Sequence, residues 1–124
     1  MSQFEVVCTQ KPPVAVLEVK GYLDAHTAPQ LEREFEEQIA AEVYRFVVNF
    51  KDLTYISSAG LGVLMQFIEH VRENDGDIKL SNMSPRVYNV FDLLGFPMLY
   101  EIFNTEEEAI QQFQNKSDQE SYTE

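Results

Sequence analysis

The apolar positions of this 124-residue chain change period several times, and each change marks an element. Phe4 to Thr9 and Val14 to Val19 are rich in β-branched residues and read as two strands split by the Lys11-Pro-Pro13 turn. In the second, Val14, Val16 and Glu18 alternate with Ala15, Leu17 and Val19, which predicts one well-buried face, and Gly21 is expected to end it. Thr27-Ala-Pro-Gln30 has the form of a capping box, with Pro29 in the first turn of a helix. That helix carries Leu31, Phe35 and Ile39 on one stripe and Glu32, Arg33, Glu36 and Glu37 on a solvated one. Tyr44 to Phe50 is almost continuously apolar, as a central strand covered on both faces would be.

The next segment, Asp52-Leu-Thr-Tyr-Ile-Ser-Ser-Ala-Gly-Leu-Gly-Val-Leu-Met65, is the most informative in the chain. It predicts a strand–turn–helix junction with Ser58 at the helix mouth and Leu61, Leu64, Met65, Ile68 and Val71 at helical spacing. A serine there is first of all an N-cap. The same helix N-terminus also offers unpaired N–H groups and the positive end of the macrodipole, which welcome a phosphate. Gly60 and Gly62 each cost about 1 kcal/mol relative to alanine in a helix. Close packing on a strand, or close approach by another molecule, must offset that. Leu61, with a glycine on each side, is expected to project partly exposed beside the serine.

Asn74-Asp-Gly76 stops this helix, and Asp77 to Leu80 reads as a short strand. Ser84-Pro85 opens a third helix with Val87, Val90, Phe91 and Leu94 as its buried stripe, ended by Gly95 and Pro97. Met98 to Phe103 is expected to be a last strand, and Thr105-Glu-Glu-Glu108 a second capping box before Ala109, Ile110 and Phe113. From Asn115 the chain is polar, with Tyr122 its one anchor. The expected division is one domain over 1–114 and an acidic, disordered tail over 115–124. Alternation of strand and helix with short connections gives an α/β class with a mixed sheet.

Composition narrows the function classes. Nine basic residues stand against 21 acidic ones, a net charge of −12, which argues against binding a nucleic-acid backbone. The near-apolar run Ala59 to Ile68 is well short of the ~18–20 residues of a membrane span, and no basic segment followed by an apolar run marks a secretory signal. The single cysteine, Cys8, suits a reducing compartment and is expected to be a buried strand residue rather than a reactive thiol. These features predict a soluble cytoplasmic protein.

Enzyme templates fail. No glycine-rich loop ends in Lys-Ser or Lys-Thr, and Gly60-Leu-Gly62 is a weak echo of a dinucleotide loop without its third glycine. Ser57 and Ser58 lack the flanking glycines of a nucleophile elbow. His26 and His70 sit in separate segments with no partners at metal-site spacing. Asp24, between a strand end and a capped helix, is expected to bind loop N–H groups. No catalytic residue, metal or cofactor is expected.

Tyr55-Ile-Ser-Ser-Ala-Gly-Leu-Gly62 resembles the signature of the STAS-domain anti-sigma factor antagonists. Lys20-Gly-Tyr-Leu-Asp-Ala-His-Thr27, Asn49-Phe-Lys-Asp-Leu53, and Ser84-Pro-Arg-Val-Tyr88 with Phe91 and Gly95 are similar to further family segments in the right order. The resemblance spans roughly residues 5–114. It implies a single STAS-like domain with a four- to five-stranded mixed sheet and helices mainly on one side, without catalytic activity. It also implies an unphosphorylated form that binds an anti-sigma serine kinase and frees a sigma factor. The kinase would phosphorylate Ser58, with Ser57 a minor alternative, and a metal-dependent serine phosphatase would reverse the step. The implied partner-binding positions are Asp24, Thr27, Ser57, Ser58, Ala59, Gly60, Leu61 and Gly62. Ser57 replaces an acidic residue, and Ala59 a second hydroxyl, common in phosphorylated members. The alternative is a non-phosphorylated STAS scaffold subunit of a regulatory or lipid-transport complex.

Overall fold

A computed structural model of the chain describes residues 4–122, with side chains over residues 4–114. In chain order the elements are β1 (Phe4–Lys11), β2 (Val14–Leu23), α1 (Ala28–Ala40), β3 (Arg45–Asn49), β4 (Leu53–Ile56), α2 (Ser58–Glu73), β5 (Asp77–Ser81), α3 (Pro85–Leu93), β6 (Ile102–Phe103) and α4 (Glu106–Tyr122). A short 3-10 turn, Phe96–Met98, precedes β6.

The apolar run of β3 takes the centre of the sheet. It pairs in parallel with β2 on one side and β5 on the other. Phe46 and Val48 point into the larger core under α1, α2 and α3, where Leu31, Phe35, Leu64 and Phe91 meet them. Val47 points the other way, to Val14, Val16, Ala109 and Phe113 beneath α4. Both faces are covered, so the alternation expected of a half-exposed strand disappears. Burial of each such side chain contributes about 1.5–3 kcal/mol.

The sheet is mixed, in the order β1-β2-β3-β5-β6, with β1 antiparallel to β2 and the other pairings parallel. Among the described residues it has six strands, beyond the expected four to five. The additional strand is β4, which pairs in parallel with the far end of β2. Its Thr54 and Tyr55 are exposed, so its sequence reads as a turn. Gly21 does not end β2. It carries the strand through a bulge at φ 89°, a left-handed conformation that favours glycine, and so lets Tyr22 and Leu23 reach β4. The expected strand Met98–Phe103 is mostly turn, because the 3-10 turn Phe96–Met98 takes up its start, and only Ile102 and Phe103 pair with β5. Leu94 lies off the buried stripe of α3 and is 57% exposed. The helical backbone of α4 continues to Tyr122, through positions where the sequence predicts disorder; residues 123–124 lie outside the described residues.

Three polar contacts hold the second face. Lys79 on β5 is 1% exposed, paired with Asp77 and Glu101, with its ammonium 4.6 Å from the ring centre of Phe113 on α4. Glu106, at the start of α4, accepts hydrogen bonds from Asn49 Nδ2 at 2.9 Å and Lys11 Nζ at 2.6 Å. Thr105 and Glu108 form the expected capping box, each side chain accepting the other's backbone N–H at 3.1–3.2 Å. Cys8 on β1 is half-buried rather than buried as expected; burial first and then the neighbouring Glu34 push its thiol up to about 11, which disfavours a reactive thiolate.

Burial alone would raise the Glu106 carboxyl, but hydrogen bonds from Lys11 and Asn49 outweigh it and hold the group below its usual range. A carboxyl depressed in the folded state stabilises it above the unfolded value, and that contribution disappears as pH falls through the folded value. Glu106→Gln should therefore destabilise the protein most near neutrality. Its difference from the parent in urea unfolding should shrink at pH below about 4.

Candidate functional site

Three connections leave the carboxyl ends of parallel strands and enter helices: Asp24–Thr27 from β2 to α1, Ser57 from β4 to α2, and Asn82–Ser84 from β5 to α3. The carboxyl ends of strands are where open α/β sheets place their sites.

Asp24 braces the first connection. Its Oδ1 accepts from the backbone N–H groups of His26 at 2.9 Å and Thr27 at 3.2 Å, the loop role expected for it. Thr27 stands at the N-cap position of α1, but its side chain does not cap. Its hydroxyl donates to the Tyr22 carbonyl at 2.7 Å and accepts from the Asp24 N–H at 2.9 Å, so the expected capping box gives way to a tie across the loop. Thr27 is buried at 8% exposure and acts by shaping this loop rather than as open surface.

At the second connection the N-cap position belongs to Ser57, and Ser58 is the first helical residue. The Ser57 N–H donates to the Leu23 carbonyl at 2.9 Å and fixes the helix mouth against the end of β2. The Ser57 hydroxyl is buried, with no hydrogen-bond partner and no cap to the first turn. Ser58 is exposed and Ala59 half-buried beside it. Of the two serines, only Ser58 offers its side chain to solvent.

Gly60 explains the height of α2 over the sheet. A Cβ there would stand 2.6 Å from Leu23 Cγ and 3.2 Å from Ile56 Cγ1. The helix therefore rests on β2 and β4 through a bare backbone. Leu61 is drawn down with Gly60 and is 3% exposed, in the core with Leu64, contrary to the expectation that it projects. Gly62 faces open space, with nothing within 4 Å of its added Cβ. The residue one helical step further on the exposed side is Met65, at 53% exposure. The spacing of Ser58, Gly62 and Met65, at i, i+4 and i+7, is the sequence signal for this exposed edge of α2.

Sequence reasoning also missed two aromatics. Parallel pairing of β2 with β4 sets Tyr22 opposite Tyr55, with ring centres 5.7 Å apart and exposures of 42% and 49%. They border a cleft of about 240 Å³ whose other lining includes Ile56, Val87, Val90 and Arg86. A larger hollow of about 670 Å³, between α3 and β6, includes none of the predicted site residues. Among the described residues no cluster of three or more His, Cys, Asp or Glu could hold a metal ion, and no helix is long and apolar enough to cross a membrane.

Residues 5–109 match the family model described as the STAS domain. The chain belongs to the STAS domain family. It is 33% identical over 95 residues to the candidate anti-sigma factor antagonist BtrV of Bordetella bronchiseptica, spanning 77% of this chain and 82% of that protein. It is 31% identical over 93 residues to the anti-sigma-B factor antagonist of Bacillus subtilis, covering 75% and 84% respectively. The fold is similar to that of the anti-sigma factor antagonist SpoIIAA in its unphosphorylated form, with TM-score 0.77 and 26% identity over 91% of this chain and 97% of that one. The phosphorylated form of SpoIIAA from Bacillus matches with TM-score 0.69 and 25% identity, over 90% and 99%.

The two glycines of this STAS domain should respond oppositely to substitution. Gly60→Ala should destabilise by about 1–3 kcal/mol through overpacking, whereas Gly62→Ala should stabilise by up to about 1 kcal/mol through helix propensity. Leu61→Ala should cost about 2–5 kcal/mol as a core truncation. Urea unfolding of the three variants measures all of these.

Proposed function

We propose that this STAS domain is an anti-sigma factor antagonist controlled by phosphorylation of Ser58. The unphosphorylated form binds an anti-sigma serine kinase in the cytoplasm and frees a sigma factor. The kinase phosphorylates Ser58 with ATP and binding ends; a metal-dependent serine phosphatase restores it. The observation that carries this reading is the exposed Ser58 at the first helical position of α2. Similarity to SpoIIAA, whose structures include an unphosphorylated and a phosphorylated form, supports it.

The chemistry of the site accounts for a switch that leaves the fold intact. A phosphoserine adds about −1.5 to −2 charges. At a helix N-terminus the first-turn N–H groups and the macrodipole accept that charge. In a docked interface the same charge must be desolvated, and any facing carboxylate repels it. Ser58, Gly62 and Met65 form the exposed edge that the partner covers, while Asp24 and Thr27 hold the neighbouring loop in shape.

A loss of ~2–4 kcal/mol in binding corresponds to roughly 30- to 1,000-fold weaker affinity. Ser58→Asp should lose the kinase to this degree while keeping its circular dichroism and melting temperature. Ser58→Ala should bind and should resist inactivation by ATP, with no species one phosphoryl group heavier in intact-mass spectra. Equal binding by Ser58→Asp and the parent would leave Ser58 as a helix-opening residue only and favour a scaffold role.

A further inference from the structure

We infer that the cleft between β4 and α3 is the second half of the docking surface and seats an acidic residue with an adjacent apolar side chain from the anti-sigma partner. This inference rests on the function proposed above and names the chemistry of its partner.

Three features of the cleft lead to it, and charge then selects its occupant. Tyr22 and Tyr55 are large apolar rings left 42% and 49% exposed side by side, although each is followed directly by a buried residue, Leu23 and Ile56. Exposed aromatics beside a cleft are the residue type that dominates binding energy at protein interfaces, together with arginine. The cleft has an apolar floor, with Ile56 5% and Val87 2% exposed. Its volume of about 240 Å³ is smaller than a small-molecule site, commonly ~300–1,000 Å³. It suits one or two side chains of a protein partner better than a cofactor.

Charge selects the occupant. Arg86 lines the cleft, is exposed, and has no ion pair among the described residues, in a chain of net charge −12. Lys11, Arg72 and Lys79, by contrast, are each tied to a carboxylate of this chain. An unpaired guanidinium beside an apolar floor is complementary to a carboxylate carried next to an apolar side chain, which it can grip in a bidentate pair. The cleft also adjoins the switch along the chain. Ile56 lines it, and Ser57 and Ser58 follow directly in the chain. A phosphate on Ser58 therefore adds negative charge two residues beyond Ile56, at the end of the strand that lines the seat of the incoming carboxylate. It weakens docking at both halves of the surface together.

The test titrates each anti-sigma serine kinase of the source organism, purified, into the parent chain and four variants. Ser58→Asp reports the switch; Tyr55→Ala, Arg86→Glu and Arg86→Lys report the cleft. Both cleft side chains are exposed, and a glutamate in the first turn of α3 is favoured by the helix dipole, so the fold should persist in Arg86→Glu. Melting temperatures check this. The expected result is that Tyr55→Ala and Arg86→Glu each weaken binding about tenfold or more, with Arg86→Lys intermediate. If both bind within about twofold of the parent while Ser58→Asp loses the kinase, the cleft is not a docking site and the switch still stands. If the cleft variants lose binding and Ser58→Asp keeps it, the cleft stands and phosphorylation control at Ser58 does not. If no kinase binds the parent, both proposals fall.

Discussion

The contact of Gly60 with Leu23 sets the position of everything at the functional end of this molecule. A helix that carried a side chain at residue 60 could not lie so low on β2 and β4. At this height α2 buries Leu61, Leu64 and Phe67 and leaves Ser58, Gly62 and Met65 outside. The same approach puts the Ser57 N–H within 2.9 Å of the Leu23 carbonyl, so the serine end of the helix is fastened to the sheet rather than to a free loop. Rigid placement of one exposed hydroxyl is thus a packing consequence, produced by removing a Cβ.

Extension of β2 past Gly21 belongs to the same arrangement. Without the bulge, Leu23 would not lie under Gly60, and Tyr22 would not stand opposite Tyr55. The loop that follows is held by Asp24 and Thr27 through hydrogen bonds to local backbone groups. Two connections at one end of the sheet are therefore fixed by contacts made at a single strand end. The far face of the sheet is stabilised differently, with α4 secured by the buried Lys79 and by Glu106 as well as by Val14, Val16 and Val47. A buried ion pair is weak evidence for stability. Here Lys79 and Glu106 fix where α4 sits, while the apolar contacts supply the driving force.

Electrostatics divide the surface into roles. The chain as a whole is acidic, and three of its basic residues are neutralised internally by Glu106, Asp77 and Glu101. At the serine end, the N-terminus of α2 and Arg86, which has no ion pair among the described residues, are positive features of a chain whose net charge is −12. A phosphate added at such a helix mouth, as proposed for Ser58, would add about −1.5 to −2 charges to this end of the molecule.

Local signals in the sequence determined the family, the class of fold, the order of most elements and the exposed serine at the head of α2. Turn residues, helical stripes and the Thr105–Glu108 capping box act over a few residues, so they can be read without a partner. Tertiary structure decided what depends on partners distant in the chain. Thr27 does not cap because Tyr22 and Asp24 claim its hydroxyl. Leu61 is core because Gly60 meets Leu23, nearly forty residues earlier. β4 is a strand because β2 has an open end to receive it. Lys79 alternates with Ile78 and Leu80 as a solvent-facing residue would, yet it is buried because α4 lies over it. Periodicity shows which face a residue occupies; only the assembled layers show whether that face is covered.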